Sequence, residues 1–472
     1  RKRLGILLCR NGARMIRPAS GLPSGPGMPS APLTHRRVLK LAVPIVLSNA
    51  TVPLLGAVDV GVVGQLGAAA PIGAVGIGAI ILTTLFWLFG FLRMGTVGLV
   101  GQAAGAGDSA EVSAWLARAL LVAGAAGSAL ITLQVPIFWA AFQLAPASAE
   151  VEGLAREYLG IRIWTAPASI AIYALTGWLI AMERTGRVFW VQLVMNGVNI
   201  GLDFIFVIGL GWGVAGVAVA TVIAEGLGVA LAFWFCRDAF AHPAWRSWPR
   251  VFDRVKLVRM ALLNTDILLR SAMLMVIFSS FVFLGARFDD VTLAANEVLI
   301  QLMYITAHAM DGFAFAAETL IARAYGRGNP GRVRKSAVMT SIWGMMTCVV
   351  SALSFALAGP WIIDVMAKDV AVQAEARDYL WWMVAAPILG CAAWMLDGIF
   401  IGAARGRDMR NMMAISFVIY WAAIIMLVPL IGNHGLWAAL LISFFARGAT
   451  LAARYPALER EAVLQQRSDV YK

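Results

Sequence analysis

The apolar and polar positions divide the chain into twelve long apolar segments separated by short polar turns. The segments run over about residues 38–65, 73–101, 114–144, 154–183, 188–209, 213–236, 258–286, 291–322, 336–360, 376–404, 411–431 and 435–454. Each is about 20 residues or more, the length a helix needs to cross a bilayer and far longer than a barrel strand requires. Several exceed that length, which predicts tilted or kinked helices. Pro44 and Pro53 fall in the first segment, where a missing backbone N–H can bend it.

The turns alternate in charge. Those after odd-numbered segments are nearly uncharged (LGAAAPIG, GLGWG, IGNHG) or mixed and acidic (ASAEVEGLARE, KDVAVQAEARD). Those after even-numbered segments are basic (ERTGR, RDAFAHPAWRSWPRVFDRVK, ARAYGRGNPGRVRK, ARGRDMR), and THRRVLK and ARYPALERE at the chain ends join them. Basic loops stay on the cytoplasmic side, so both termini are expected there, which requires an even number of spans. The turn GAGDSAEVS after segment 2 is the exception, acidic apart from Arg118.

The two halves repeat one another. GQAAGAGD at 101–108 matches ARAYGRGN at 322–329, an offset of 221. TAPASIAIYALTGWLIAMERTGR at 165–187 matches AAPILGCAAWMLDGIFIGAARGR at 385–407, an offset of 220, and AEG at 224–226 matches ARG at 446–448, an offset of 222. Three matches in order at nearly constant spacing indicate a duplication. Six spans in each half give both halves the same orientation, related by an axis along the membrane normal with a cavity between them. The expected fold is thus an all-α integral membrane protein of twelve transmembrane helices in two six-helix lobes. The expected division is an N-lobe at 36–236, a cytoplasmic linker at 237–257, a C-lobe at 258–454 and a cytoplasmic tail at 455–472. Residues 1–35 read as disordered or misannotated, with Met28 the expected start.

Composition agrees with the pattern: 60% of residues are hydrophobic, 14% are charged, and the mean hydropathy is +0.79. The net charge of +12 follows from the basic loops, and no nucleic-acid partner is expected. Cys9, Cys236, Cys348 and Cys391 are far apart, with no metal or redox spacing, and the four histidines are equally scattered. No HExxH, GxSxG or P-loop pattern is present, so neither an enzyme nor an ATPase is expected.

The candidate chemistry lies inside the spans. Asn196, Asn199 and Asp203 fall at i, i+3 and i+7 in segment 5 and share one helix face. At ~1.5 Å rise per residue, Asp203 lies ~9 Å from the outer end, Asn199 ~15 Å, Thr221 of segment 6 ~12 Å and Asp59 of segment 1 ~10 Å. Tyr158, near the outer start of segment 4, is shallower. Two carboxylates close together in low dielectric take up a proton or are neutralised by a metal cation, and Asn and Thr oxygens complete the shell. A Na⁺ site at Asp59, Asn199, Asp203 and Thr221 is therefore one reading and a proton site another. A third is that the acids only hydrogen-bond neighbouring helices. In the second half, Asp266, Glu318 and Asp397 lie ~10–12 Å from the inner ends, with Asp311 and Arg270 deeper. They suit a substrate path or a charge network balancing Arg93. Asp266 and Arg270, at i and i+4, also suit an internal salt bridge. Glu225, mid-segment, calls for a basic partner.

These motifs resemble the multidrug and toxic compound extrusion (MATE) transporters, and within them the DNA-damage-inducible F (DinF) branch. The resemblance covers about residues 36–454 and rests on LAVPIVLSNATVPLLGAVDVGVVGQLG, FLRMGTVGLVGQAAGAGD, APASIAIYALTGWLIAMERTGR, NIGLDFIFVIGLGWGVAGVAVATVIAE, AMDGFAFAAETLIARAYG and MLDGIFIGAARGRDMRN. It implies a V-shaped pair of lobes in a bacterial inner membrane. It also implies an antiporter that exports cationic or amphipathic compounds against inward H⁺ or Na⁺, with no other cofactor. It implies that Asp59, Asn199, Asp203, Thr221 and Tyr158 form the coupling site and that helix 1 bends near Pro44. Asp266 and Asp397 sit on helices that carry important acids in other branches. We expect a monomer. The alternative within the broader superfamily is a lipid-linked precursor or polysaccharide flippase, for which Arg93 and Arg270 would serve phosphate head groups.

Overall fold

The structure is a computed structural model that describes residues 32–65, 69–144 and 147–470. Residues 1–31, which hold most of the segment read as disordered or misannotated and the expected start Met28, lie outside the described residues. The spans are helices: α1 (His35–Gly64), α2 (Ala70–Ala106), α3 (Ser109–Thr132), α4 (Ala149–Ala181), α5 (Thr185–Gly209), α6 (Gly213–Phe235), α7 (Arg254–Gly285), α8 (Asp290–Gly326), α9 (Pro330–Met366), α10 (Val370–Gly402), α11 (Gly406–Ile431) and α12 (Asn433–Val463). Among the described residues, eleven helices are long and apolar enough to cross a membrane. The 30-residue α1 completes the twelve.

The helices outrun their apolar segments because polar residues at the edges cap them. The side chains of Asp108, Asp253, Asp289, Asn329 and Asp369 each accept a backbone N–H in the first turn of the helix that follows. The capped first turn of α9 therefore begins at Pro330, where the apolar run begins near residue 336. The expected single segment 114–144 is instead two helices, broken at Leu133, with a second helix Gln134–Leu144. Pro136 accounts for the break: it has no N–H for a preceding carbonyl and sits in the first turn of the second helix, where that loss costs least. Other spans change pitch without ending. A 3₁₀ turn spans Leu88–Gly90 in α2 and another spans Ile163–Thr165 in α4, just before Pro167, while α5 closes in a π-helical stretch, Phe204–Gly209. α1 remains helical through Pro44.

The duplication is visible in the backbone. Glu183 and Ala404, 221 residues apart, both have positive φ (59° and 56°) in the turns after α4 and α10. Arg184 N–H bonds the Leu179 carbonyl, and Arg405 N–H bonds the Phe400 carbonyl in the same way. α1–α6 and α7–α12 thus form two lobes of like topology.

The lobes meet at the face that carries the basic turns. A side chain at Gly105 would overlap the Arg323 carbonyl, and one at Gly326 would overlap the Gln102 carbonyl, so α2 and α8 touch backbone to backbone there. Gln102 Nε2 donates to the Gly402 carbonyl (3.3 Å), Arg323 Nε to the Ala181 carbonyl (3.0 Å) and Thr319 Oγ1 to the Ile180 carbonyl (3.1 Å). Glu183 ties the seam: Arg37 of α1 (2.5 Å) and Arg323 of α8 (2.9 Å) both pair with it. Cross-lobe hydrogen bonds extend away from this face as far as Asn49. Farther out on α8, Tyr304 and Ile305 are exposed.

The acidic turn after α2 has a physical explanation. Glu111 is paired with Arg118 (3.1 Å), and with Arg250 (3.0 Å) and Lys256 (2.6 Å) from the segment between the lobes. The fully buried Arg118 also donates to the carbonyls of Arg250 and Val251, which docks that segment onto the N-lobe. The acid is thus covered by basic residues distant in sequence.

Two predictions follow from the seam. Gly105→Val is expected to hold the lobes apart at the basic face, because overpacking a tight backbone contact costs about 1–3 kcal/mol. A cysteine placed at Ala322 should then label faster with a thiol reagent. For Glu183, burial raises the carboxyl's proton affinity, but Arg323 and Arg37 outweigh it and hold the pKa below the usual carboxylate value. A depressed pKa stabilises the closed seam above the pKa of the unpaired acid, and that contribution is lost as pH falls through the depressed value. Spin labels on the α4–α5 and α8–α9 turns should report separation only on such acidification, and Glu183→Gln should separate them already at neutral pH.

Candidate functional site

Of the N-lobe residues singled out by sequence, Tyr158, Asn199, Asp203 and Thr221 are buried. Asp203 is fully buried and accepts a hydrogen bond from Asn199 Nδ2 (2.9 Å). It is the last α-helical residue of α5 before the π-helical stretch. Wider π turns are frequent at functional sites because they re-aim side chains. The surrounding cluster takes Val62 and Val63 from α1, Tyr158 from α4, Val207 from α5 and Val217 from α6. Thr221, also buried, donates its hydroxyl to the Val217 carbonyl of its own helix (2.9 Å).

The side chain of Asp59 lies outside the described residues, but the level of its backbone follows from helix register. Asn196 Nδ2 donates to Thr51 Oγ1 (2.8 Å), pinning α5 to α1. Both helices run away from the basic face. Asp59 lies eight residues beyond Thr51 and Asp203 seven beyond Asn196. At ~1.5 Å per residue both positions reach the same layer, ~10–12 Å above that bond. Asn196 is therefore an α1–α5 contact, and Gln192 also donates to it (2.9 Å).

Tyr158 is buried, and its hydroxyl accepts from Arg162 Nη1 (3.4 Å). Arg162 pairs with Glu225 of α6 (2.9 Å), which supplies the basic partner expected for that acid, and Ser169 donates to the same carboxylate (2.5 Å). Sequence reading missed Arg162. Its signal was an arginine four residues after Tyr158 inside an apolar span.

Between the lobes, Arg93 of α2 pairs with Glu318 of α8 (3.0 Å), with its guanidinium over the Phe315 ring (3.7 Å). Glu318 thus balances Arg93 across the lobes. Asn49 of α1 donates to Asp311 of α8 (3.3 Å) and to the His308 carbonyl (3.2 Å).

In the C-lobe, the internal Asp266–Arg270 salt bridge is not made. Asp266 pairs instead with Arg410 of α11 (2.6 Å), and Arg270 with Asp397 of α10. Both residues of the i, i+4 pair point toward neighbouring helices, where closer opposite charges await. Cys348 and Cys391, distant in sequence, come into one apolar cluster, both free and buried, and the Cys348 thiol donates to Met310 Sδ (3.4 Å).

The chain is similar to known proteins along most of its length. The MatE family model matches residues 44–205 and 267–425. "DNA damage-inducible protein F" of Escherichia coli is 37% identical over 429 residues, covering 88% of this chain and 90% of that protein. "Probable multidrug resistance protein NorM" of Bradyrhizobium diazoefficiens is 27% identical, covering 90% and 94%. Among solved structures, one described as "Crystal structure of MATE in the straight conformation" superposes with a TM-score of 0.80 at 18% identity, covering 90% of this chain and 97% of that one.

The Arg93–Glu318 pair gives a test of the interlobe charges. Removing one member strands the other as a buried charge, which costs about 3–5 kcal/mol, whereas replacing both with apolar residues is often neutral. Arg93→Met is expected to lower the melting temperature in detergent, and Arg93→Met with Glu318→Met to recover most of the loss.

Proposed function

The chain belongs to the MatE family, of the DinF-like kind, whose members are transporters and not enzymes, and from that premise we propose that it is a proton-driven efflux antiporter for cationic or amphipathic organic compounds. The observation that carries this reading is the fully buried Asp203 in the N-lobe, held by Asn199 and level with Asp59 across the α1–α5 contact. A buried carboxylate at membrane depth is expensive, and chains that carry one there use it.

A proton suits this site better than Na⁺. Asn199 turns its amide N–H, and not its oxygen, toward Asp203. A sodium ion would ask for that oxygen to face inward in a cage. The basic face is the cytoplasmic one, both termini lie there, and the host membrane is the bacterial inner membrane. With the V open to the outside, a proton reaches Asp203 or Asp59. The neutralised site releases its hold on Asn199, α1 shifts against α5, and bending at Pro44 narrows the N-lobe cavity so that substrate leaves. The basic-face seam then opens and the proton is lost to the cytoplasm.

The test is efflux of ethidium from proteoliposomes under separately imposed pH and sodium gradients. A pH gradient alone is expected to drive it. Asp203→Asn and Asp59→Asn are expected to bring uphill efflux down to the level of empty liposomes while the protein still inserts. Normal uphill transport by Asp203→Asn would remove the assigned coupling role. Flux of a labelled lipid-linked precursor without ethidium transport would instead favour a flippase.

A further inference from the structure

The internal repeat places Glu225 of α6 opposite Arg447 of α12, so the same position carries opposite charge in the two lobes. In the N-lobe the acid is matched by Arg162 and Ser169. In the C-lobe the base is not matched in the same way. Arg447 is 3% exposed, and its only ion-pair partner among the described residues is Asp397, 3.8 Å from Nη2. Asp397 already holds Arg270, which is 8% exposed. Two buried guanidinium groups therefore share one carboxylate.

Among the other acids on the facing helices, Asp266 is paired with Arg410 and Glu318 with Arg93, while Asp311 accepts from the neutral amide of Asn49. Nε and Nη1 of Arg447 and Nε of Arg270 are buried without a hydrogen-bond partner among the described residues. An unfilled N–H on a buried cation is among the most costly features a membrane interior can hold. The Phe444 ring, 5.8 Å from the Arg447 guanidinium, forms part of the wall.

We propose that the C-lobe holds a monovalent anion between Arg270 and Arg447, with Asp397 fixing the orientation of both guanidinium groups. Arg270, Arg447 and Asp397 together carry one positive charge in excess, which a singly charged anion matches. The free N–H groups suit a halide or a single carboxylate, because both accept several donors at once. The anion is either a free ion such as chloride or the acid group of an amphiphile. The site lies apart from the N-lobe carboxylates.

The experiment uses the purified full-length chain in detergent at fixed pH and ionic strength, with sodium sulfate replaced stepwise by sodium bromide. The wild-type melting temperature is expected to rise saturably with bromide, since an ion that binds only the folded chain stabilises it by mass action. Arg447→Met should abolish that saturable rise, and Arg454→Gln, on the exposed surface, should leave it intact. Arg447→Lys keeps the charge but loses the fork, and should raise the half-saturating bromide concentration about tenfold even if the Met variant fails to fold. Competition of octanoate with bromide identifies an amphiphile's acid group as an occupant, and failure to compete identifies a free ion. A bromide response unchanged in the Arg447 variants, or no saturable response in the wild type, overturns the proposal.

Discussion

A charge carried into the interior of a membrane protein has to find a partner, and that requirement orders this structure. Arg162 and Glu225 tie α4 to α6 inside the N-lobe. Arg270 with Asp397 and Asp266 with Arg410 tie α7 to α10 and α11 in the C-lobe. Arg93 with Glu318 joins the two lobes. Helices in lipid gain little from hydrophobic contact with one another, so such polar contacts and close packing decide which helices associate. Each lobe is thereby cross-braced.

The seam at the basic face shows how an interface can be tight and still separable. Gly105 and Gly326 let α2 and α8 approach backbone to backbone, and Glu183 joins charges from both lobes at the edge. These contacts sit at one end of the long helices. A small rotation of one lobe breaks them together without disturbing the interior of either lobe. The buried Asp203 lies toward the other end of α5.

Some of the chain's departures from simple rules become intelligible only through contacts distant in sequence. The acidic turn at Glu111 breaks the charge alternation of the loops until Arg250 and Lys256 are seen over it. Asp266 and Arg270 have the spacing of a helical ion pair, yet each finds a better-placed opposite charge on another helix. Tyr158 is spaced from Arg162 so that the two hydrogen-bond, and Glu225 then determines where that arginine points.

The sequence by itself determined the number of spans, their approximate ends and the duplication. Each of these is a local or periodic property: apolar run length against bilayer thickness, rise per residue, and the recurrence of turns such as those at Glu183 and Ala404. Only the tertiary structure decided who pairs with whom. The energy of two buried charges depends on their separation in space and on what else surrounds them, and helices brought together by folding set both quantities.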